Sequence, residues 1–137
     1  MKKRNGFTLI ELLVVVGILG LLAAFLAPRF LGVQDRAKET AVKLVMQDLQ
    51  RSIESYNVVN EYYPLGNNIP TKSLCENYLM AGDFISEIPK NPFTGQPYKD
   101  EDATGKILYS FDDATGQYSL VGYGRSGSRK LLELSNL

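Results

Sequence analysis

The chain changes character twice along its length. From Phe7 to Ala27 nearly every position is apolar, and Glu11 is the one charge in that run. At about 1.5 Å of rise per residue, a helix over this segment is about 31 Å long, the hydrocarbon thickness of a bilayer. Ahead of it, Met1-Lys2-Lys3-Arg4-Asn5-Gly6 carries three cations and no acid. Beyond it the pattern becomes periodic. Apolar or small residues recur at Phe30, Val33, Ala37, Ala41, Leu44, Val45, Leu49, Ile53 and Tyr56, mostly in threes and fours, which predicts one stripe of an amphipathic helix. Its other faces carry Arg36, Lys38, Glu39, Lys43, Asp48, Arg51 and Glu54, with Glu39 and Lys43 spaced for an i,i+4 pair. Pro28 removes a backbone donor and is expected to kink or locally unwind the helix. Gly17, Gly20 and Gly32 weaken a helix but permit close approach of a second one.

The helical pattern fades after Asn57, and Tyr63-Pro64 is expected to end it. Leu65 to Thr71 reads as a loop. Ser73-Leu74-Cys75-Glu76 has the spacing of a capping box, predicting a short helix over about 74–81 with Gly82 as its stop. Ile88 to Tyr98 contains three prolines and a glycine and reads as an ordered turn segment. Ile107-Leu108-Tyr109-Ser110-Phe111 and Gln117-Tyr118-Ser119-Leu120-Val121-Gly122-Tyr123 read as strands joined by the hairpin loop Asp112-Asp113-Ala114-Thr115-Gly116. Asp102-Ala103-Thr104-Gly105 echoes Asp113-Ala114-Thr115-Gly116, which suggests a meander with a third strand near Tyr98-Lys99. The expected architecture is α+β: a long N-terminal helix, membrane-spanning in its first half and amphipathic in its second, packed on a small antiparallel sheet. The expected organisation is a basic leader over 1–6, a transmembrane helix over 7–29 and a globular head over 30–137.

Composition narrows the chemistry. The 137 residues include 15 basic and 15 acidic side chains, one Cys, and no His or Trp. The zero formal charge gives no sign of a nucleic-acid binder. Lack of His removes the usual general base and the commonest metal ligand. Cys75 alone can close no internal disulfide, and is expected to pack as a small apolar residue.

Three readings of the N-terminal segment compete. A cleaved secretory signal has a shorter apolar region and a small-x-small site, whereas here Phe25-Leu26-Ala27 lacks the first small residue and Pro28 follows. A plain signal anchor would hold Lys2, Lys3 and Arg4 in the cytoplasm and place the head outside. The third reading starts from Glu11, since a carboxylate in a membrane helix is costly unless paired. A cut after Gly6 would expose the amine of Phe7, four residues before Glu11, and the two charges could neutralise each other within or between chains.

Gly6-Phe7-Thr8-Leu9-Ile10-Glu11-Leu12 resembles the leader junction of the type IV pilin superfamily, which includes type IV pilins and the pseudopilins of type II secretion. The resemblance implies cleavage between Gly6 and Phe7 by a prepilin peptidase and N-methylation of Phe7. It also implies a filament whose core is made of these helices, with Phe7, Glu11 and Pro28 as assembly residues. Glu11 would meet the amine of an adjacent subunit. Implied partners are further copies of the chain, an inner-membrane assembly platform, and minor pilins or pseudopilins. The precursor would be a single-pass inner-membrane protein with a cytoplasmic N-terminus, the filament periplasmic or extracellular. Tyr62-Tyr63-Pro64 and the Pro89–Tyr98 segment are similar to major pseudopilins. Members of that group bind calcium through an aspartate-rich loop after a Tyr-Ser-Leu strand. Here Tyr118-Ser119-Leu120 is followed by Val121 to Arg129, which contains no acid.

Other candidate sites are set against plainer readings. Gly122-Tyr123-Gly124-Arg125-Ser126-Gly127 matches a dinucleotide fingerprint, but too few residues follow for a βαβ unit, so it reads as a turn. Asp100, Asp102, Asp112 and Asp113, with Glu101, would suit Ca²⁺ if two turns of a meander brought them together; solvated turn acids are the usual case. No cofactor and no catalysis are expected of this chain. The rival is an anchored periplasmic binding or enzymatic domain that does not polymerise, for which no nucleophile constellation is visible. Cleavage after Gly6 would leave 12 basic and 15 acidic side chains.

Overall fold

The computed structural model describes residues 6–136 and, for 27–31, the backbone alone. Residues 1–5 of the leader lie outside the described residues, and α1 runs unbroken through Pro28, so the local unwinding considered there does not occur. Seven elements follow in order: α1 (Leu9–Asn60), β1 (Ile69–Pro70), α2 (Thr71–Leu74), a π-helical turn (Cys75–Leu79), β2 (Ile107–Asp112), β3 (Gln117–Tyr123) and β4 (Lys130–Ser135). The chain falls into two compact units, Met1–Asp35 and Arg36–Leu137. In the first, every described side chain from Gly6 to Leu26 is exposed. The second carries the remainder of α1 and the head.

The head is an α+β layer. Its sheet has four antiparallel strands in the order β1-β2-β3-β4. From α1, Val42, Met46, Leu49, Ile53 and Tyr56 are buried, in steps of four and three that hold one helical face. Ile107, Tyr109, Tyr118 and Leu120 of the sheet, with Leu74, Cys75, Leu79 and Tyr98, complete the core. The predicted stripe is therefore offset. Leu44 and Val33 are exposed, while Val42 and Met46, absent from the predicted stripe, are buried. Leu44 stands two residues from both, about 200° around the helix, so the face that buries Met46 must expose it.

The β2–β3 hairpin is as expected, with Asp112 opposite Gln117 and Gly116 at a φ of 66°. The other strands are not. No strand forms at Tyr98-Lys99; the third and fourth strands are β1, inside the expected loop, and β4. Pro97 makes only an isolated bridge with Lys90. That segment instead closes on itself around buried Asn91, which donates to Asp102 at 3.1 Å and to the Thr104 carbonyl at 2.8 Å, and accepts from Phe93 N–H at 3.0 Å. The Tyr98 hydroxyl donates to the Gly105 carbonyl at 2.8 Å. The tetrapeptide echo survives as conformation: Gly105 and Gly116 have φ of 65° and 66°.

Helix ends also differ from expectation. α1 stops at Asn60, with Glu61 left-handed at φ 65° and its N–H donating to the Asn57 carbonyl at 2.8 Å. The Ser73–Glu76 capping box does not form. Ser73 already lies inside α2, and its N–H and hydroxyl donate to Asp100, at 3.1 and 2.9 Å. A carboxylate 27 residues away thus caps this helix. Helical geometry ends at Met80, and Asp83, not Gly82, takes the positive φ. Glu39, expected to pair with Lys43, instead pairs with Arg129 of the loop before β4.

Candidate functional site

The N-terminal segment combines two features that seldom coexist, a long exposed apolar surface and a polar group set within it. Leu9–Leu26 is a helix long and apolar enough to cross a membrane, and none of it is buried. Its start is fixed locally. Thr8 precedes the first helical residue and Glu11 is the third residue of the helix. The Glu11 N–H donates to Thr8 Oγ1 at 3.3 Å. In return Glu11 Oε2 accepts from Thr8 N–H at 2.9 Å and from the Thr8 hydroxyl at 2.7 Å. This is a reciprocal capping box, which satisfies backbone donors that the first turn leaves without partners. A carboxylate there also faces the positive end of the helix dipole.

This geometry revises the sequence reading of Glu11. Its oxygen is bound within its own chain before any partner arrives. Thr8 was missed as a functional residue, although the Thr-x-x-Glu spacing was legible. Both bonds use Oε2, so among the described residues Oε1 is left for another donor. Gly6 and Phe7 lie ahead of the helix in irregular, exposed backbone, where an enzyme could reach the peptide bond between them. Pro28, the third assembly residue, lies among those described by backbone alone.

The acidic candidates are not brought together. Asp100 and Asp102 lie before β2, whereas Asp112 ends it, a strand of six residues or about 20 Å away. Successive turns of a meander fall at opposite ends of their shared strand, which is why the echo could not converge. Asp100 caps α2; Asp102 accepts from Asn91 and from Lys99 N–H at 3.0 Å; Asp112 accepts from Ala114 N–H and the Thr115 hydroxyl. Asp113 is exposed in the hairpin. Among the described residues, no three carboxylates or thiols gather in a metal-holding group.

Residues 1–27 match the prokaryotic N-terminal methylation motif. The type II secretion system core protein G of Vibrio cholerae is 34% identical over 106 residues, 72% of this chain and 71% of that protein. The chain belongs to the type IV pilin–pseudopilin superfamily. The core protein G of Escherichia coli K12 is 33% identical over 100 residues, 66% of this chain and 68% of the relative. The type IV wide pilus major component PilA4 of Thermus thermophilus is 41% identical over 63 residues, 46% of this chain and 48% of its own. No solved structure matches the chain. The methylation motif and the exposed apolar helix together fit a pilin-type anchor in the inner membrane.

Proposed function

We propose that the chain is a structural subunit of a helical filament, held in the inner membrane by its N-terminal helix and then drawn into the polymer through it. The carrying observation is the fully exposed apolar helix Leu9–Leu26 with a carboxylate set in its first turn. Such a surface is stable in lipid or against like helices, but not in water. Cleavage after Gly6 would free the Phe7 amine, and Oε1 of Glu11 in a neighbouring subunit would receive it. N-methylation of Phe7 leaves that amine cationic. Lys2, Lys3 and Arg4 would hold the leader in the cytoplasm until a prepilin peptidase removes it.

The subunit acts mechanically rather than by catalysis. It requires an inner-membrane assembly platform and, at the filament's ends, minor pilins or pseudopilins. The core protein G relatives match over about 70% of both chains, whereas the pilus relative matches over less than half, which favours the secretion pseudopilus.

The test is Glu11→Val in the full chain. Membrane insertion should persist while filament yield collapses; normal filaments from this variant would refute the mechanism. Mass spectrometry of the N-terminus should find methylated Phe7, and an intact Met1 would indicate a plain anchor.

A further inference from the structure

The unit Arg36–Leu137 carries an excess of cations at one end and of acids at the other. Where α1 enters it, the helix presents Arg36, Lys38 and Lys43. The turn segment is held at the same end, since the Lys38 ammonium lies 5.8 Å from the Phe93 ring centre, and this segment brings Lys90 and Lys99. Lys106 enters β2 there, its ammonium 5.0 Å from the Tyr123 ring. Arg129 pairs with Glu39, and the six other cations of this end outnumber the three carboxylates of Asp100, Glu101 and Asp102, which leaves it net positive.

The far end is acidic. The Tyr56 ring meets Tyr62 at 5.7 Å and Phe84 at 5.5 Å, which sets Glu61 and Asp83 beside the C-terminus of α1. Phe111 N–H donates to the Gly66 carbonyl at 2.8 Å, so the hairpin with Asp112 and Asp113 rises at that same end. The segments that reach it, residues 52–71, 80–89 and 107–124, contain no Lys or Arg. An apolar patch of Val58, Val59, Tyr62 and Leu65 lies exposed among these acids, Val58 at 79%.

We propose that the acidic end of one head docks on the basic end of a second copy of this chain. The poles are on different surfaces of one unit, so neither can neutralise the other within the subunit. A two-fold dimer through either pole would set like charge on like. A head-to-tail contact pairs them, and such heterologous contacts that do not close generate open helical polymers. Complementary charge would also orient the incoming subunit and fix its register, while the apolar patch leaves water. This inference deepens the filament reading, on which it rests for its supply of copies.

The test uses the full chain in an assembling host. Asp83→Lys with Asp113→Lys reverses one pole; Lys90→Glu with Lys99→Glu reverses the other. Each double variant should lower filament yield about tenfold. All four together should restore it, which also separates charge from misfolding. In a second arm, Asp113→Cys with Lys99→Cys should yield a ladder of head-to-tail cross-links on mild oxidation. Full yield from both double variants with no ladder overturns the docking and leaves the filament reading standing. Cross-links between copies in detergent without any filaments would retain the docking and refute the filament reading. Neither filaments nor cross-links would refute both.

Discussion

Tyr118 reaches from β3 to donate its hydroxyl to Glu54 of α1 at 2.7 Å, tying sheet to helix through one carboxylate. The Tyr63 hydroxyl donates to the other oxygen at 3.0 Å. Tyr118 is buried and stacks on Tyr109 with ring centres 5.7 Å apart. Glu54→Ala strands two donors and should cost about 2–4 kcal/mol. Glu54→Gln, which keeps an acceptor, should cost about half that. Urea denaturation of the detergent-solubilised chain measures both; equal costs would mean that a neutral amide replaces nothing of the carboxylate.

The same cluster predicts alkaline instability. Burial pushes the Tyr56 hydroxyl up to about 12 and raises Tyr109. Burial first, and then the bond to Glu54, raises Tyr63 and Tyr118. An unfolded tyrosine ionises near 10, so above that pH the unfolded chain loses protons that the folded chain keeps. Stability is therefore whole below about pH 10 and begins to fall as pH rises through the folded Tyr56 value of about 12. Tyrosinate absorbance should rise together with loss of the head's circular dichroism. Ionisation near 10 with the fold intact would contradict the burial argument.

Two glycines should respond differently to alanine. Gly127 has a φ of 67°, and an added Cβ would stand 2.1 Å from the Ala103 carbonyl oxygen, where backbone must move. Gly116 has nearly the same φ of 66°, but open space around it. Gly116→Ala should cost about 1 kcal/mol from backbone strain alone. Gly127→Ala should cost about 3 kcal/mol, adding the clash. Melting temperatures of the two variants test the order, which the clash requires.

Thr8→Val removes the hydroxyl from the capping box while preserving shape. It should weaken the first turn of α1 by about 1 kcal/mol. Hydrogen exchange in micelles should show the Glu11 amide, which donates to Thr8 Oγ1, losing protection while amides beyond Val16 keep theirs. Unchanged exchange would show that the cap holds nothing.

The burial of Cys75 offers a further check. Burial, and secondarily the Glu76 charge, pushes its thiol up to about 12. It should resist thiol reagents at pH 8 in the folded chain and react on unfolding. Prompt reaction in the native state would place it at the surface.

The sequence by itself determined whatever depends on neighbours along the chain. The apolar run, the helical period, the hairpin around Asp112–Gly116 and the Gly6–Glu11 junction are set by local spacing, and the structure contains each of them. Thr8 and Glu11 belong here too, three residues apart. Tertiary structure decided what depends on partners far away. Ser73-x-x-Glu76 has the same cap spacing as Thr8-x-x-Glu11, yet Asp100 reaches Ser73 and the local box is lost. Glu39 left its helical neighbour for Arg129, 90 residues on. β1 and β4 carry little alternation of their own and exist because β2 and β3 offer them unpaired edges. The opposite charge excess at the two ends is likewise invisible in a balanced composition. Local spacing fixes a hydrogen bond only while no distant group fits it better, and only the packed chain reveals which distant groups arrive.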